Sequence, residues 1–299
     1  MPEKLTIIIP TYNRKNSLGQ LLKQLINETI LPIELQIIVV VDGSTDGTIE
    51  MLDTFYPQVH KILGNGTWWY TKSMNKGFSY AIKNFNNQLV LCLNDDVSLG
   101  QNYLKNLLEG YSGLGKMAIL GSLSLKNNDN GLVAFAGVKS FNRLTDKTTH
   151  YYPVLGKIDL NKCKPIKESE LLPGRGLLVP VEAIEKLGGF DPFFFQYQSD
   201  YDFCLRAGKI GYKCFISYNA VLYSDMNLTA GVTSYKKSSF AKVLKAFFQK
   251  ASRIYIPNRA LFYWRHYYKL LFLFYMSKFI FVTLYKNIIC RKVVRQHNS

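Results

Sequence analysis

The sequence predicts an α/β fold, a mostly parallel sheet flanked by helices and followed by a C-terminal helical extension, and three observations predict it. Apolar runs alternate with segments of helical periodicity from the start, the pattern of strands joined through covering helices. The run Leu89-Val90-Leu91-Cys92-Leu93 reads as a buried strand. It stops abruptly at Asn94-Asp95-Asp96, and charges at such a strand end lie in the crevice where open α/β sheets bind ligands.

The elements follow in chain order. Residues 6–9 form a first strand ending at Pro10-Thr11-Tyr12-Asn13, and Leu18, Leu21, Leu22, Leu25 and Ile26 mark one face of a helix begun near Asn16. Residues 37–41 make a second buried strand, and Asp42-Gly43-Ser44-Thr45-Asp46-Gly47-Thr48 is a turn opening a short helix through Leu52. A brief strand over 60–63 and a helix over 72–84 lead to the strand 88–93, with Leu104, Leu107 and Leu108 on a helix beyond it. After a strand at 118–121, residues 124–172 are polar and irregular, as hairpins and loops covering a site would be. A strand over 176–179, a helix over 181–187, the turn Gly188-Gly189-Phe190-Asp191-Pro192, a helix over 200–208 and a strand over 212–216 complete the α/β part. Helical character dominates from Ser238, broken at Pro257.

The 299 residues suit one α/β domain over 1–230 and an extension over 231–299. The net charge of +16 suggests a nucleic-acid binder until it is located. Residues 231–299 hold 14 of the 37 Lys and Arg and no Asp or Glu, which leaves 23 basic against 21 acidic groups in the rest. The extension also holds 16 of the 42 aromatics, a mixture that fits an anionic membrane surface better than a nucleic acid. Residues 270–285 carry a single charge, Lys278; at 16 residues they fall short of the roughly 20 that a span needs and predict an interfacial helix. Five scattered cysteines make no disulfide framework, and the apolar run 5–9 is shorter than a signal-peptide core. The expected location is cytoplasmic, peripheral to the inner face of the cell membrane.

Three acid clusters carry the chemistry. Asp42, where a buried strand meets a turn, suits hydrogen bonds from a base or ribose, whereas Asp46 reads as a cap for the next helix. Asp95 and Asp96 repel each other unless a cation sits beside them, which points to Mg²⁺ or Mn²⁺ and an anionic substrate such as a diphosphate. In Ser199-Asp200-Tyr201-Asp202, Asp202 stands four residues before Arg206 and is expected to pair with it on the helix surface. Asp200, preceded by the aromatic stretch 193–197, suits a partly desolvated general base.

These acids, with Thr6-Ile7-Ile8-Ile9-Pro10-Thr11-Tyr12-Asn13-Arg14, Gly188-Gly189-Phe190-Asp191 and Arg206, resemble the motifs of family 2 inverting glycosyltransferases over residues 5–225. The resemblance implies the GT-A fold, a nucleotide-diphosphate sugar donor, a divalent metal and single displacement with inversion. It implies Asp200 as catalytic base and Asp96 as metal ligand. Donor contacts are expected from Pro10, Thr11, Tyr12, Arg14, Asp42, Asn94 and Asp95. Trp68-Trp69 with Asn75-Lys76-Gly77 looks like an element of bacterial capsule or O-antigen members, some of them rhamnosyltransferases, and adds Trp68, Trp69, Asn75 and Lys76 to the donor side. Gly174, Arg175 and Gly176 are expected on the acceptor side, the glycines letting backbone approach the sugars. Asn94 stands where many relatives have Asp, and Ser199 where many have Glu. Tyr223-Ser224-Asp225 occupies the region of a histidine that often completes the metal site, which makes Asp225 a candidate replacement ligand.

The expected function is transfer of a UDP- or dTDP-sugar to a hydroxyl of a glycan or lipid-linked acceptor in surface polysaccharide synthesis. A catalytically inactive, membrane-attached scaffold of an assembly complex is the alternative. A sugar nucleotidyltransferase is disfavoured, because its glycine-rich, Arg-containing phosphate loop is absent after the first strand.

Overall fold

The computed structural model describes residues 4–28, 33–127, 131–224 and 239–289. Its first half runs β1 (Lys4–Thr11), α1 (Lys15–Asn27), β2 (Glu34–Asp42), α2 (Thr48–Phe55), β3 (His60–Gly64), α3 (Trp69–Asn84), β4 (Leu89–Cys92), β5 (Val97–Leu99) and α4 (Tyr103–Ser112). Strands β6 (Ala118–Lys126), β7 (Val133–Phe135), β8 (Val138–Asn142), β9 (Lys147–His150), β10 (Ile166–Glu168) and β11 (Leu177–Pro180) follow. The chain then forms α5 (Val181–Leu187), α6 (Ser199–Lys209), β12 (Lys213–Ser224), α7 (Phe240–Phe248), α8 (Ile256–His266) and α9 (Phe272–Leu284).

One ten-stranded sheet has the order β10-β12-β6-β11-β4-β1-β2-β3, with β5 on β12 and β7 on β6. Pairs β1–β2, β1–β4, β2–β3 and β6–β12 are parallel, whereas β11 runs antiparallel between β4 and β6. Alternate side chains feed two cores. Ile7, Ile9, Ile37, Val39 and Leu91 pack with Leu18, Leu22 and Leu107 on one face. On the other, Ile8, Ile38, Val40, Val90 and Cys92 pack with Met74, Phe78 and Phe203. Burial on both faces is why these strands read as unbroken apolar runs.

The differences from expectation have long-range causes. Helix α3 begins at Trp69 and not near Lys72 because its first N–H groups are met by distant acceptors. Strand β12 continues past Ile216 to Ser224 through an irregularity between Ser217 and Val221, and that added length pairs with β5. Within 124–172, β8 and β9 form the expected hairpin, while β7 and β10 join the main sheet. Pro257 falls in the first turn of α8, where a missing N–H costs nothing.

The extension's apolar helix is longer than 16 residues. A helical run over Lys269–Asn287 has 19 residues and a mean hydropathy of 1.2, long and apolar enough by length and composition to cross a membrane. One side is nonetheless anchored to protein: Tyr275 is buried beside Tyr263 and Tyr267, and Lys278 Nζ donates to Thr145 O at 2.7 Å.

Candidate functional site

The carboxyl ends of β1, β2 and β4 bring Thr11, Asp42 and Asn94-Asp95-Asp96 to one edge of the sheet. Because β11 is antiparallel to β4, the segment before it lies at the same edge, with Gly176 N–H donating to Cys92 O at 2.8 Å. Helix α6 adds Asp200, and topology thus gathers groups almost 200 residues apart.

The acid pair has its own cation. Arg14 Nη1 lies 2.8 Å from Asp95 Oδ1 and 3.1 Å from Asp96 Oδ2, and Thr11 Oγ1 donates to Asp95 Oδ2 at 2.7 Å. Burial pushes the Asp95 carboxyl up to about 6 against the opposing pull of Arg14 and Thr11. Asp95 is therefore an anchor whose oxygens are both engaged. Asp96 Oδ1 and Asn94 Oδ1, by contrast, are buried without a hydrogen-bond partner among the described residues. Two such oxygens suit a hard cation. No cluster of three or more His, Cys, Asp or Glu forms among the described residues, and Asp225 lies outside them. These acids do not cap α4: its Tyr103 and Leu104 N–H groups donate to Glu28 at 2.8 and 2.7 Å.

Asp42 has a structural task that its local sequence does not reveal. Its Oδ1 accepts from Gly66 N–H at 2.8 Å, and its Oδ2 accepts from Trp68 and Trp69 N–H at 2.8 and 3.0 Å. Three of roughly four lone-pair sites are thereby filled, and the carboxylate holds the loop entering α3. A Cβ on Gly64 would come within 2.6 Å of Asp42 Oδ1, so this close approach requires glycine. Asp46 Oδ2 accepts from Lys15 N–H, and its Oδ1 from Thr48 N–H, joining the starts of α1 and α2.

Of the other expected donor-side residues, Pro10 pairs in register with Val40, and Tyr12 projects exposed from the strand end. Trp69 is exposed at a φ of 57°, while the Trp68 ring carries the Lys72 and Lys76 ammonium groups 5.5 and 5.6 Å from its centroid. Asn75 is spent on the protein: its Oδ1 accepts from Phe190 N–H at 2.9 Å and its Nδ2 donates to Phe190 O at 2.7 Å. That clamp fastens α3 to the Gly188-Gly189-Phe190 turn and leaves the amide little to offer a ligand.

Asp200 sits in the first turn of α6. Its Oδ2 accepts from Gly174 N–H and its Oδ1 from Tyr201 N–H, both at 2.9 Å. Burial raises its proton affinity, opposed by those N–H groups and by the charge of nearby Arg175. Arg175 donates to Ser224 Oγ at 3.1 Å. The two flanking glycines make room for the protein's own atoms. A Cβ on Gly174 would fall 1.8 Å from Tyr70 Oη, and one on Gly176 would fall 2.5 Å from a Leu222 methyl.

Sequence reasoning missed Tyr70. Its hydroxyl is buried beside Gly174 with no hydrogen-bond partner among the described residues, and its backbone N–H donates to Gln196 Oε1 at 3.1 Å. Nothing in local spacing announces a contact across 126 residues.

The Asp202–Arg206 pair forms, but not on the surface. Asp202 is fully buried, with Arg206 Nε on Oδ2 at 2.7 Å and both Arg265 Nη1 and His266 Nε2 on Oδ1 at 2.8 Å. The correction has a physical reason: α8 covers this side of α6 and supplies two more donors. Those contacts hold the Asp202 carboxyl down at about 2 despite burial.

A mostly parallel sheet with carboxylates at its strand ends, bordered by a helix that presents another, is the architecture of GT-A glycosyltransferases. A structure of GalNAc-T7 with UDP, GalNAc and Mn²⁺ superposes with a TM-score of 0.60 at 13% identity, covering 87% of this chain and 51% of that one. The model of glycosyl transferase family 2 matches residues 6–159, and that of glycosyl transferase family group 2 matches residues 89–294. The chain belongs to glycosyl transferase family 2. Among its relatives, glycosyltransferase GlyA of Streptococcus pneumoniae serotype 4 is 34% identical over 109 residues, 35% of this chain and 14% of that protein. The N-acetylglucosaminyl-diphospho-decaprenol L-rhamnosyltransferase of Mycobacterium tuberculosis is 25% identical over 228 residues, 71% of this chain and 73% of the relative.

Proposed function

We propose that this chain transfers a sugar, with inversion, from a UDP- or dTDP-sugar to a hydroxyl of a glycan or lipid-linked acceptor in surface polysaccharide synthesis, beside an anionic membrane surface. The observation that carries this reading is Asp200, a carboxylate fixed by the Gly174 and Tyr201 N–H groups and made more basic by burial. Such a group suits removal of the proton from an acceptor hydroxyl as that oxygen attacks the anomeric carbon. Arg175 beside it suits the charge of a phosphate on donor or acceptor. The diphospho-decaprenol in the mycobacterial relative's name supports a lipid-linked acceptor.

The oxygens of Asp96 and Asn94 fit Mg²⁺ or Mn²⁺, with Asp96 the charged ligand and Asp225 a further candidate. When bound, the metal would neutralise charge on the diphosphate leaving group. Mn²⁺ in the GalNAc-T7 structure supports that assignment. Asp95 and Arg14 fix the strand end from which Asp96 projects, and Asp42 sets the position of Trp68 and Trp69 for the donor.

One observation favours the scaffold reading: Arg14 already offsets part of the charge of the acid pair. Assaying purified protein with a panel of nucleotide sugars, with and without Mn²⁺, separates the two. The transferase reading expects metal-dependent donor turnover that Asp200→Asn abolishes while donor-induced thermal stabilisation persists. Undiminished transfer by the variant refutes Asp200 as base, and no donor binding or turnover across the panel favours the scaffold.

A further inference from the structure

Arg14 sits between β1 and α1, in the crevice outside the strand ends, and reaches both acids at the end of β4. Its side chain is 27% exposed, against 7% and 4% for Asp95 and Asp96, so the guanidinium is the most open member of the cluster. One positive charge faces two negative ones, and the cluster keeps a net negative charge. Both Asp95 oxygens are engaged, whereas Asp96 Oδ1 and Asn94 Oδ1 are buried with no partner among the described residues. Those oxygens ask for a cation, but Arg14 holds the other Asp96 oxygen, Oδ2. Asp96 also borders a polar cavity of about 320 Å³, where Lys23 brings a further positive charge and no other acid lines the wall among the described residues.

We infer that Arg14 is an electrostatic gate on this site: it holds a bare divalent cation off Asp96 and exchanges that carboxylate for the diphosphate of an arriving nucleotide. A cation at Asp96 faces the guanidinium at close range, and repulsion between like charges is strong where burial keeps water scarce. The planar fork of a guanidinium matches phosphate oxygens as well as it matches carboxylates. A diphosphate in the crevice therefore offers Arg14 a counter-charge of its own and frees Asp96. By linkage, a nucleotide that relieves this repulsion raises the affinity for metal by the same factor by which metal raises the affinity for nucleotide. The ion-pair geometry and the count of charges stand by themselves; that the ligands are a divalent metal and a nucleoside diphosphate rests on the transferase reading.

Mn²⁺ binding to the full chain without nucleotide, followed by the electron paramagnetic resonance signal of free Mn²⁺, tests the gate. Arg14→Gln should bind Mn²⁺ about tenfold or more tightly than wild type. That variant leaves Asp95 buried without its cation, so Asp95→Asn and Arg14→Gln/Asp95→Asn supply a second pair in which the charge of Asp95 is removed as well. The double variant should again bind Mn²⁺ about tenfold or more tightly than Asp95→Asn, with thermal melts identifying the folded proteins. Equal or weaker Mn²⁺ binding without Arg14 in the folded pairs overturns the proposal. Calorimetry with UDP, dTDP and GDP in the absence of metal tests the exchange. Arg14→Gln should lose about tenfold in affinity for whichever nucleotide binds, and an unchanged affinity overturns it. Mn²⁺ that binds wild type and variants alike, with nucleotide binding intact, sinks the gate and leaves the transferase reading standing. No binding of Mn²⁺ or of any nucleotide in any arm refutes that reading and the gate with it.

Discussion

Asp202→Asn should loosen the extension from the catalytic helix. The carboxylate faces donors from Arg206, Arg265 and His266 at 2.7 to 2.8 Å and is fully buried. Asparagine keeps the shape but offers one acceptor oxygen, turns an NH₂ toward cationic donors and leaves the Arg206 guanidinium without a carboxylate partner. Removing one partner of a buried ion pair costs about 3–5 kcal/mol. Here Arg206 retains Leu187 O and Gly189 O, and Arg265 retains Asp191, which places the expected loss near 3 kcal/mol. Urea unfolding measures the total, and hydrogen exchange should show faster opening of α8. The pH dependence follows from the same geometry. A carboxyl held at about 2 against an ordinary 3.8 gives stability that is present above pH 4 and lost as the pH falls toward 2, at most about 2 kcal/mol. A variant within about 1 kcal/mol of wild type, with unchanged exchange in α8, would refute the reasoning.

The remaining predictions concern the crevice. Asp42→Asn leaves at least one N–H of the loop entering α3 without its acceptor, and should cost about 1–3 kcal/mol in denaturant unfolding and weaken donor binding in titration calorimetry; unchanged values in both would show that the loop holds itself. Tyr70→Phe removes a buried hydroxyl that lacks a partner among the described residues, so thermal unfolding should show unchanged or slightly raised stability, by up to about 1 kcal/mol, and a clear loss would reveal a bond beyond those residues. The rate of transfer should fall as pH drops, with the acid limb of kcat/KM centred above the ordinary Asp value because burial raises the Asp200 pKa; a limb at or below that value would count against Asp200 as the base.

Much of the fold was legible in the chain because burial imposes the same spacing whatever the partner. Ile7 to Ile9 and Leu89 to Leu93 read as strands since both sheet faces are covered, and Leu18, Leu21, Leu22 and Leu25 mark the buried side of α1. The positions of the acids at the end of β4 and at the start of α6 were also legible, because carboxylates that follow an apolar run mark where the chain leaves the core.

Hydrogen-bond partnership is another matter, since an acceptor carries no record of where its donor lies. Asp42 serves N–H groups 24 to 27 residues away, Asn75 clamps a turn 115 residues on, and Asp202 is buried because a helix more than 50 residues later closes over it. The sequence by itself determined the layers, the acid-lined edge and the basic, aromatic character of the extension. Only the tertiary structure decided which of those acids hold the protein together and which keeps a buried oxygen without a partner among the described residues, because that depends on geometry between distant segments.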